Sequence, residues 1–120
     1  MNTVGRETIG EFKPEMLIAG TAHPAELCHV TLVAGSKHTR GEVLGVNDDG
    51  ECDILGTEGF TAAYILAEDK DATAGKVTAE AYRCGNFVRN VLTVKDRYAL
   101  TVADEQALRD AGIYLDNAMI

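Results

Sequence analysis

The sequence predicts a mainly β (α+β) domain: a small, compact, β-rich fold with an extended N-terminal arm and one short C-terminal helix. Short segments in the middle of the chain alternate apolar and polar residues, the period typical of strands. One segment near the C-terminus has helical spacing behind a capping signal. Residues 1–13 are polar with isolated apolar positions and no period. We therefore expect an arm over residues 1–15 and a single domain over residues 16–120.

Five segments predict strands. The segment FTAAYILA (60–67) is a nearly continuous apolar run, which is typical of a strand covered on both faces. Gly85 and Asn86 predict a break after the strand KVTAEAYRC (76–84), and a further apolar-rich segment, FVRNVLTV (87–94), follows the break. GSKHTRG (35–41) and NDDG (47–50) predict polar turns. The other four predicted strands are HVTLVA (29–34), GEVLGV (41–46), ECDIL (51–55) and KVTAEAYRC (76–84).

The predicted helix has signals at both ends. Thr101 and Asp104 have the hydroxyl–carboxylate spacing of a capping box, and Gly112 suits the C-terminal cap. Between them, apolar residues recur at roughly helical spacing. An apolar tail, IYLDNAMI (113–120), follows.

Charge and hydropathy exclude several classes of function. The formal net charge is −8 and the pI about 4.7, so the surface repels phosphate backbones and anionic membranes. No apolar run approaches the roughly 20 residues of a membrane span. The N-terminus lacks a basic segment followed by an apolar stretch, so we expect no secretory signal. We therefore expect that the protein binds neither nucleic acids nor membranes.

The three cysteines, Cys28, Cys52 and Cys84, are widely separated along the chain. An odd number without a CxxC pair predicts free thiols in a reducing compartment.

Residues 64–75, YILAEDKDATAG, place a lysine among acidic residues. Lipoyl domains carry their prosthetic group on a lysine at a tight hairpin tip, and Asp69-Lys70-Asp71-Ala72 is near that motif. The stretch from Asp71 to Gly75 makes the predicted turn longer than a carrier turn, which favours a solvated hairpin loop. Neither these acids nor NDDGECD (47–53) has the ligand spacing of a calcium loop.

Histidine and cysteine positions do not predict a metal or catalytic site. His23, His29, His38 and Cys28 lie close in sequence, but Cys28 and His29 are adjacent, so on a strand they face opposite ways. GSKHTRG lacks the Gly-Lys-Ser/Thr ending of a P-loop. No constellation of residues predicts catalysis, so we expect a protein that is not an enzyme and has no cofactor or metal.

Several stretches together resemble a known family. PEMLIAG (14–20), VTLVAGSKHTRGEVLG (30–45), AAYILAEDKDATAG (62–75), VTAEAYRCGNF (77–87) and LRDAGIYL (108–115) occur in this order. In order and spacing they are similar to the lambda-type head decoration proteins of tailed bacteriophages and prophages. Two positions depart from the family pattern: Lys70 stands where an apolar residue is more frequent, and Cys84 where histidine is frequent.

The resemblance implies a β-tulip-like fold and a structural role on the virion. Such proteins bind the outer surface of the expanded head at threefold and quasi-threefold sites and stabilise it against internal DNA pressure. It implies two partners, the major capsid protein and further copies of the chain in a homotrimer, and assembly in the host cytoplasm. An extended arm can add as a strand to a capsid sheet edge, so Val4, Thr8, Ile9 and Phe12 are the candidate capsid-binding residues. Two alternatives remain: another phage structural adaptor from the tail or neck, and a lipoyl-like carrier domain.

Overall fold

A computed structural model describes Ile18 and residues 25–116 of the chain. This part contains eight strands, a short 3-10 helix and one α-helix. The strands are β1 (Glu26–Leu32), β2 (Lys37–His38), β3 (Val43–Val46), β4 (Glu51–Ile54), β5 (Thr61–Leu66), β6 (Lys70–Asp71), β7 (Val77–Val88) and β8 (Ile113–Asp116). The 3-10 helix is Arg89–Val91 and the α-helix α1 is Val102–Ala111.

Five strands close into a barrel. They are hydrogen-bonded in the order β1-β4-β3-β5-β7, and β7 pairs back onto β1. All these pairings are antiparallel except β1 with β4, which is parallel. Closure removes the unpaired edges that an open sheet would leave. The prediction of a mainly β domain with one short helix is confirmed.

The interior of the barrel is formed by the alternating residues of its strands. On β7, Ala79 and Ala81 are buried while Thr78 and Glu80 are exposed, as the sequence pattern predicted. We call the buried interior set the barrel cluster. It consists of Val30, Leu32, Leu44, Cys52, Leu66, Ala72, Ala79 and Ala81.

A second apolar layer lies between the outside of the barrel and α1. On β5, Ile65 belongs to this layer, whereas the adjacent Leu66 belongs to the barrel cluster. The prediction that β5 is covered on both faces is therefore confirmed. We call this layer the helix-side cluster. It consists of Val43, Leu55, Ala62, Ile65, Phe87, Leu108 and Ile113.

Helix α1 has the predicted boundaries. The Thr101 hydroxyl accepts from the Asp104 backbone N–H at 3.0 Å, and the Asp104 carboxylate accepts from the Thr101 backbone N–H at 3.0 Å. Gly112 ends the helix at φ 98°, a left-handed conformation that glycine adopts at little cost. Leu108 is the fully buried residue of the helix and packs into the helix-side cluster.

The expected break at Gly85 and Asn86 is wrong. β7 runs through both residues without interruption, because its two halves have different partners: the first pairs with β1 and β5, and Gly85 to Val88 pair in parallel with β8. Gly85 adopts φ 136°, and the partner of β7 changes at this residue from β1 and β5 to β8. Beyond Val88 the predicted apolar segment becomes the 3-10 helix rather than a strand.

Two segments expected to be turns or loops contain short strands. β2 lies inside the predicted polar turn 35–41, and β6 contains Lys70. They form a two-stranded antiparallel ribbon in which His38 is opposite Lys70. The expectation that Lys70 lies in a solvated hairpin loop is therefore wrong, since it is half-buried in this ribbon. The first half of the apolar tail forms β8.

Candidate functional site

The N-terminal segment joins the described fold at Ile18. This residue forms an isolated antiparallel bridge with Phe87, which is fully buried on β7. The side chain of Ile18 itself is 41 % exposed. Ile18 therefore lies beside β7, the long strand that pairs with β1 and β5 along its first half and with β8 along its second half.

The predicted arm residues Val4, Thr8, Ile9 and Phe12 lie outside the described residues. The described fold fixes where the segment that carries them is attached, at the bridge between Ile18 and Phe87.

Gly85 allows segments of the chain to approach closely near the bridge between Ile18 and Phe87. A Cβ atom at Gly85 would lie 3.0 Å from the Ala25 Cα, and the Gly85 N–H donates to the Gly112 carbonyl at 3.0 Å. Three parts of the chain therefore meet here: the entry to β1, the middle of β7 and the turn between α1 and β8. The sequence signal for this site is Gly85, which predicts a break in the strand.

Exposed apolar side chains near the attachment point do not form one patch. Leu27, 53 % exposed, is opposite Tyr82 on β7, whereas Ile18 is opposite Phe87. Five residues of strand separate these two positions by about 17 Å. Scattered exposed apolar residues are ordinary on a protein surface. An ion pair between Arg83 and Glu26 flanks Leu27.

In the part of the chain that the structure describes, the six-stranded sheet ends at β8. β8 is the last strand in the sheet order, and within the described residues it pairs with β7 on one side alone. A groove of about 240 Å³ lies between β8 and α1. Arg89 crosses it, donating to Glu105 at 2.5 Å and to the Leu115 carbonyl at 3.3 Å. An edge of this type can accept an added strand.

The residues weighed for metal binding or nucleophilic chemistry are dispersed. Cys28 is half-buried and His29 exposed on β1, His38 is buried on β2, and His23 lies outside the described residues. In the described part of the chain, no group of three His, Cys, Asp or Glu residues could hold a metal ion.

The cysteines of the described fold are free thiols. Cys52 is fully buried in the barrel cluster, and this burial raises the pKa of its thiol to about 12. Burial also raises the pKa of the half-buried Cys28 thiol. High thiol pKa values leave little reactive thiolate at neutral pH, so neither group is an activated nucleophile.

Lys70 does not have the setting of a carrier lysine. It lies within a strand that pairs with β2, a segment about thirty residues earlier in the chain, rather than at the tip of a tight hairpin. It lines a shallow groove together with His38 and the acidic residues Asp69 and Asp71.

No helix in the described ranges has the length and apolarity needed to cross a bilayer.

Comparison with protein families shows which family the chain resembles. Residues 7–113 match the family described as bacteriophage lambda head decoration protein D. The chain belongs to this family. A search of curated protein sequences found no significant match.

The family match covers every described strand up to the start of β8, together with part of the predicted arm. A head decoration family is structural rather than enzymatic.

Proposed function

We propose that this protein is a capsid decoration, or cement, protein. It binds the outer surface of the expanded phage head at threefold and quasi-threefold sites and stabilises the shell against internal DNA pressure. The observation that carries the proposal is the family match over residues 7–113. The partners are the major capsid protein and two further copies of this chain in a homotrimer. The protein is located on the virion surface and, during assembly, in the host cytoplasm.

Within this proposal the chain has two parts with different tasks. Residues 1–15 are the capsid-binding arm, and residues 16–120 form one domain. The closed barrel supports this division, because a sheet without open edges is a stable platform that does not itself require a partner strand. The bridge between Ile18 and Phe87 supports this division, because it pairs a residue that follows the arm closely in sequence with the buried strand β7.

The arm binds by adding a strand to the shell. Main-chain hydrogen bonds supply affinity in this mode, and alternate side chains supply specificity; Val4, Thr8, Ile9 and Phe12 are the contacting residues. Ordering about ten residues costs on the order of 10 kcal/mol of backbone entropy, so pairing and apolar burial have to exceed that amount. Three arms on one trimer raise the overall affinity well above that of a single arm.

A binding isotherm on expanded, undecorated heads of the phage that encodes the protein tests this function. Saturable binding of the full-length protein is expected. Deletion of residues 2–13 should abolish or greatly weaken binding while leaving the thermal melt unchanged. Unchanged affinity in the deletion variant would show that a face of the folded domain, rather than the arm, binds the shell.

Point variants locate the contact within the arm. Phe12→Ala should weaken binding because it removes an apolar contact, and Asn2→Ala is the matched control that should leave the isotherm unchanged.

A density map of decorated heads tests the trimer arrangement. Isolated copies of the protein away from the threefold axes would contradict it.

A further inference from the structure

Two polar side chains are buried together next to the β2–β6 ribbon: His38 on β2, and Glu42 four residues later. His38 is 2 % exposed and Glu42 is 5 % exposed, and they are the buried polar or charged residues of the described fold. The His38 Nδ1 lies 2.8 Å from the Glu42 Oε1. Buried polar groups are costly unless they are paired, so this pair requires a physical explanation.

Thr39 fixes the Glu42 carboxylate, and the Glu42 backbone is bonded to the barrel. Its Oε2 accepts from the Thr39 backbone N–H at 2.8 Å and from the Thr39 hydroxyl at 3.4 Å. The Glu42 backbone carbonyl accepts from the Leu66 N–H of β5 at 2.9 Å. The carboxylate is therefore held in place whether or not His38 carries a charge.

The other imidazole nitrogen shows which form of His38 the site favours. The His38 Nε2 is buried and has no hydrogen-bond partner, and it lies 3.8 Å from the Asp53 Oδ1 on β4. The same oxygen accepts from the Ile54 N–H at 2.8 Å, which fixes its direction. A nitrogen lone pair facing a carboxylate is repulsive, whereas an N–H⁺ facing it is attractive. The geometry therefore favours the doubly protonated imidazolium.

Further charged groups near His38 line the groove on its open side. They are Lys37 on β2 and Asp69, Lys70 and Asp71 on or beside β6. Two are cationic and two anionic, and Lys37 is opposite Asp71 in the ribbon register. Asp69 also accepts from the Arg40 N–H at 2.8 Å. Their charges largely offset one another, which leaves Glu42 and Asp53 as the dominant electrostatic neighbours.

We propose that His38 is a pH-sensitive clasp, whose imidazolium bridges Glu42 and Asp53 and thereby holds the β2–β6 ribbon against the barrel. Loss of the proton leaves a buried neutral ring between two carboxylates and loosens the ribbon. This device is independent of the proposed capsid binding. It assigns a role to the polar segment 35–41 and to the strand that contains Lys70.

The direction of the pH dependence follows from the site. The hydrogen bond to Glu42 raises the pKa of His38; burial acts against this, and the negative charges of Glu42 and Asp53 raise it further. A group with a raised folded-state pKa contributes its full stabilisation below the unfolded value, about 6.5 for histidine. That stabilisation is lost as pH rises through the folded-state pKa. The clasp is therefore closed in mild acid and opens toward alkaline pH.

Titration of the histidine ring signals by NMR in the full chain tests the clasp directly. The midpoint of His38 should lie above the ordinary histidine value, because Glu42 and Asp53 stabilise the imidazolium. In Asp53→Asn the His38 midpoint should move to lower pH, because one of the two facing negative charges is removed. A His38 midpoint at or below the ordinary histidine value would overturn the proposal.

A stability series supplies the second measurement. His38→Asn keeps a donor near the Nδ1 position but cannot be protonated, and His29→Asn is the matched exposed control. The difference in melting temperature between wild type and His38→Asn should be largest at pH 6 and should shrink toward pH 9, while His29→Asn should parallel wild type. A difference that is constant across this range would contradict the clasp. If His38→Asn does not fold, the NMR titrations of wild type and Asp53→Asn decide the question.

Discussion

The barrel cluster and the helix-side cluster are two cores of one small domain, built in different ways. The barrel cluster contains three alanines and a cysteine, Cys52, and its buried members include no aromatic residue. The helix-side cluster contains Phe87, and the rings of Tyr82 and Phe87 are tilted at 55° with centroids 5.3 Å apart. A narrow closed barrel is filled by small side chains. The space between a sheet and a helix requires large ones.

This difference in composition predicts how the stability of each cluster should respond to mutation. The barrel cluster should be sensitive to enlargement, since its walls are hydrogen-bonded on all sides and cannot move apart. The helix-side cluster should be sensitive to truncation, because its stability depends on a few large side chains. Four substitutions test this contrast.

The largest effect is expected for Phe87→Ala. Phe87 is fully buried at the centre of the helix-side cluster, and its truncation should destabilise the fold by about 3–5 kcal/mol through lost burial and a residual cavity. Urea denaturation measures this change in the free energy of unfolding. Leu27→Ala, at an exposed position on β1, is the control and should have a small effect. Similar losses in both variants would contradict the central position of Phe87.

Gly56→Ala should come second. Gly56 has φ 113°, and a Cβ there would lie 2.8 Å from the Lys95 Cβ and 2.9 Å from the Tyr98 Cγ. Gly59 has φ 86° with open space around it, so Gly59→Ala measures backbone strain alone. We expect Gly56→Ala to cost about 1–3 kcal/mol more than Gly59→Ala, because the chain that covers the helix-side cluster is displaced. Equal losses would show that only backbone strain matters at position 56.

Ala81→Leu tests the barrel cluster. Ala81 is fully buried between β1 and β5, and the larger side chain should destabilise the protein by about 1–3 kcal/mol through overpacking. The matched control is Ala103→Leu on the exposed face of α1, which should change stability by less than about 0.5 kcal/mol. A barrel that accepts leucine at position 81 without loss would break the proposed contrast between the two cores.

The smallest effect is expected for Thr101→Ala. The substitution removes the hydroxyl that caps α1 and should cost about 1 kcal/mol. Thr101→Ser retains the acceptor and should remain within a few tenths of a kcal/mol of wild type. The thermal melts of the two variants give the comparison. If alanine and serine behave alike, the helix is held by Leu108 and its packing rather than by its cap.

The sequence predicted best where a local signal is sufficient. The capping box at Thr101 and Asp104 and the left-handed Gly112 fix both ends of α1 without any tertiary contact. The alternation of KVTAEAYRC (76–84) predicted the first half of β7 in the same way. The family resemblance, which rests on the order of several such segments, is confirmed by the match over residues 7–113.

The candidate site was predicted less completely. The arm residues Val4, Thr8, Ile9 and Phe12 stay a prediction, since they lie outside the described residues. The attachment of their segment at Phe87 could not be read from the sequence, because a bridge between Ile18 and Phe87 joins residues far apart in the chain.

The sequence by itself predicted β1, β3, β4, β5 and the first half of β7, where the helix begins and ends, and which family the chain resembles. Only the tertiary structure decided that β1 closes onto β7, that His38 is buried against Glu42, and that β7 continues through Gly85 to pair with β8. The physical reason is the range of the interactions. Alternation and capping act between residues a few positions apart, whereas strand pairing and the burial of a charge depend on partners that only the folded chain brings together.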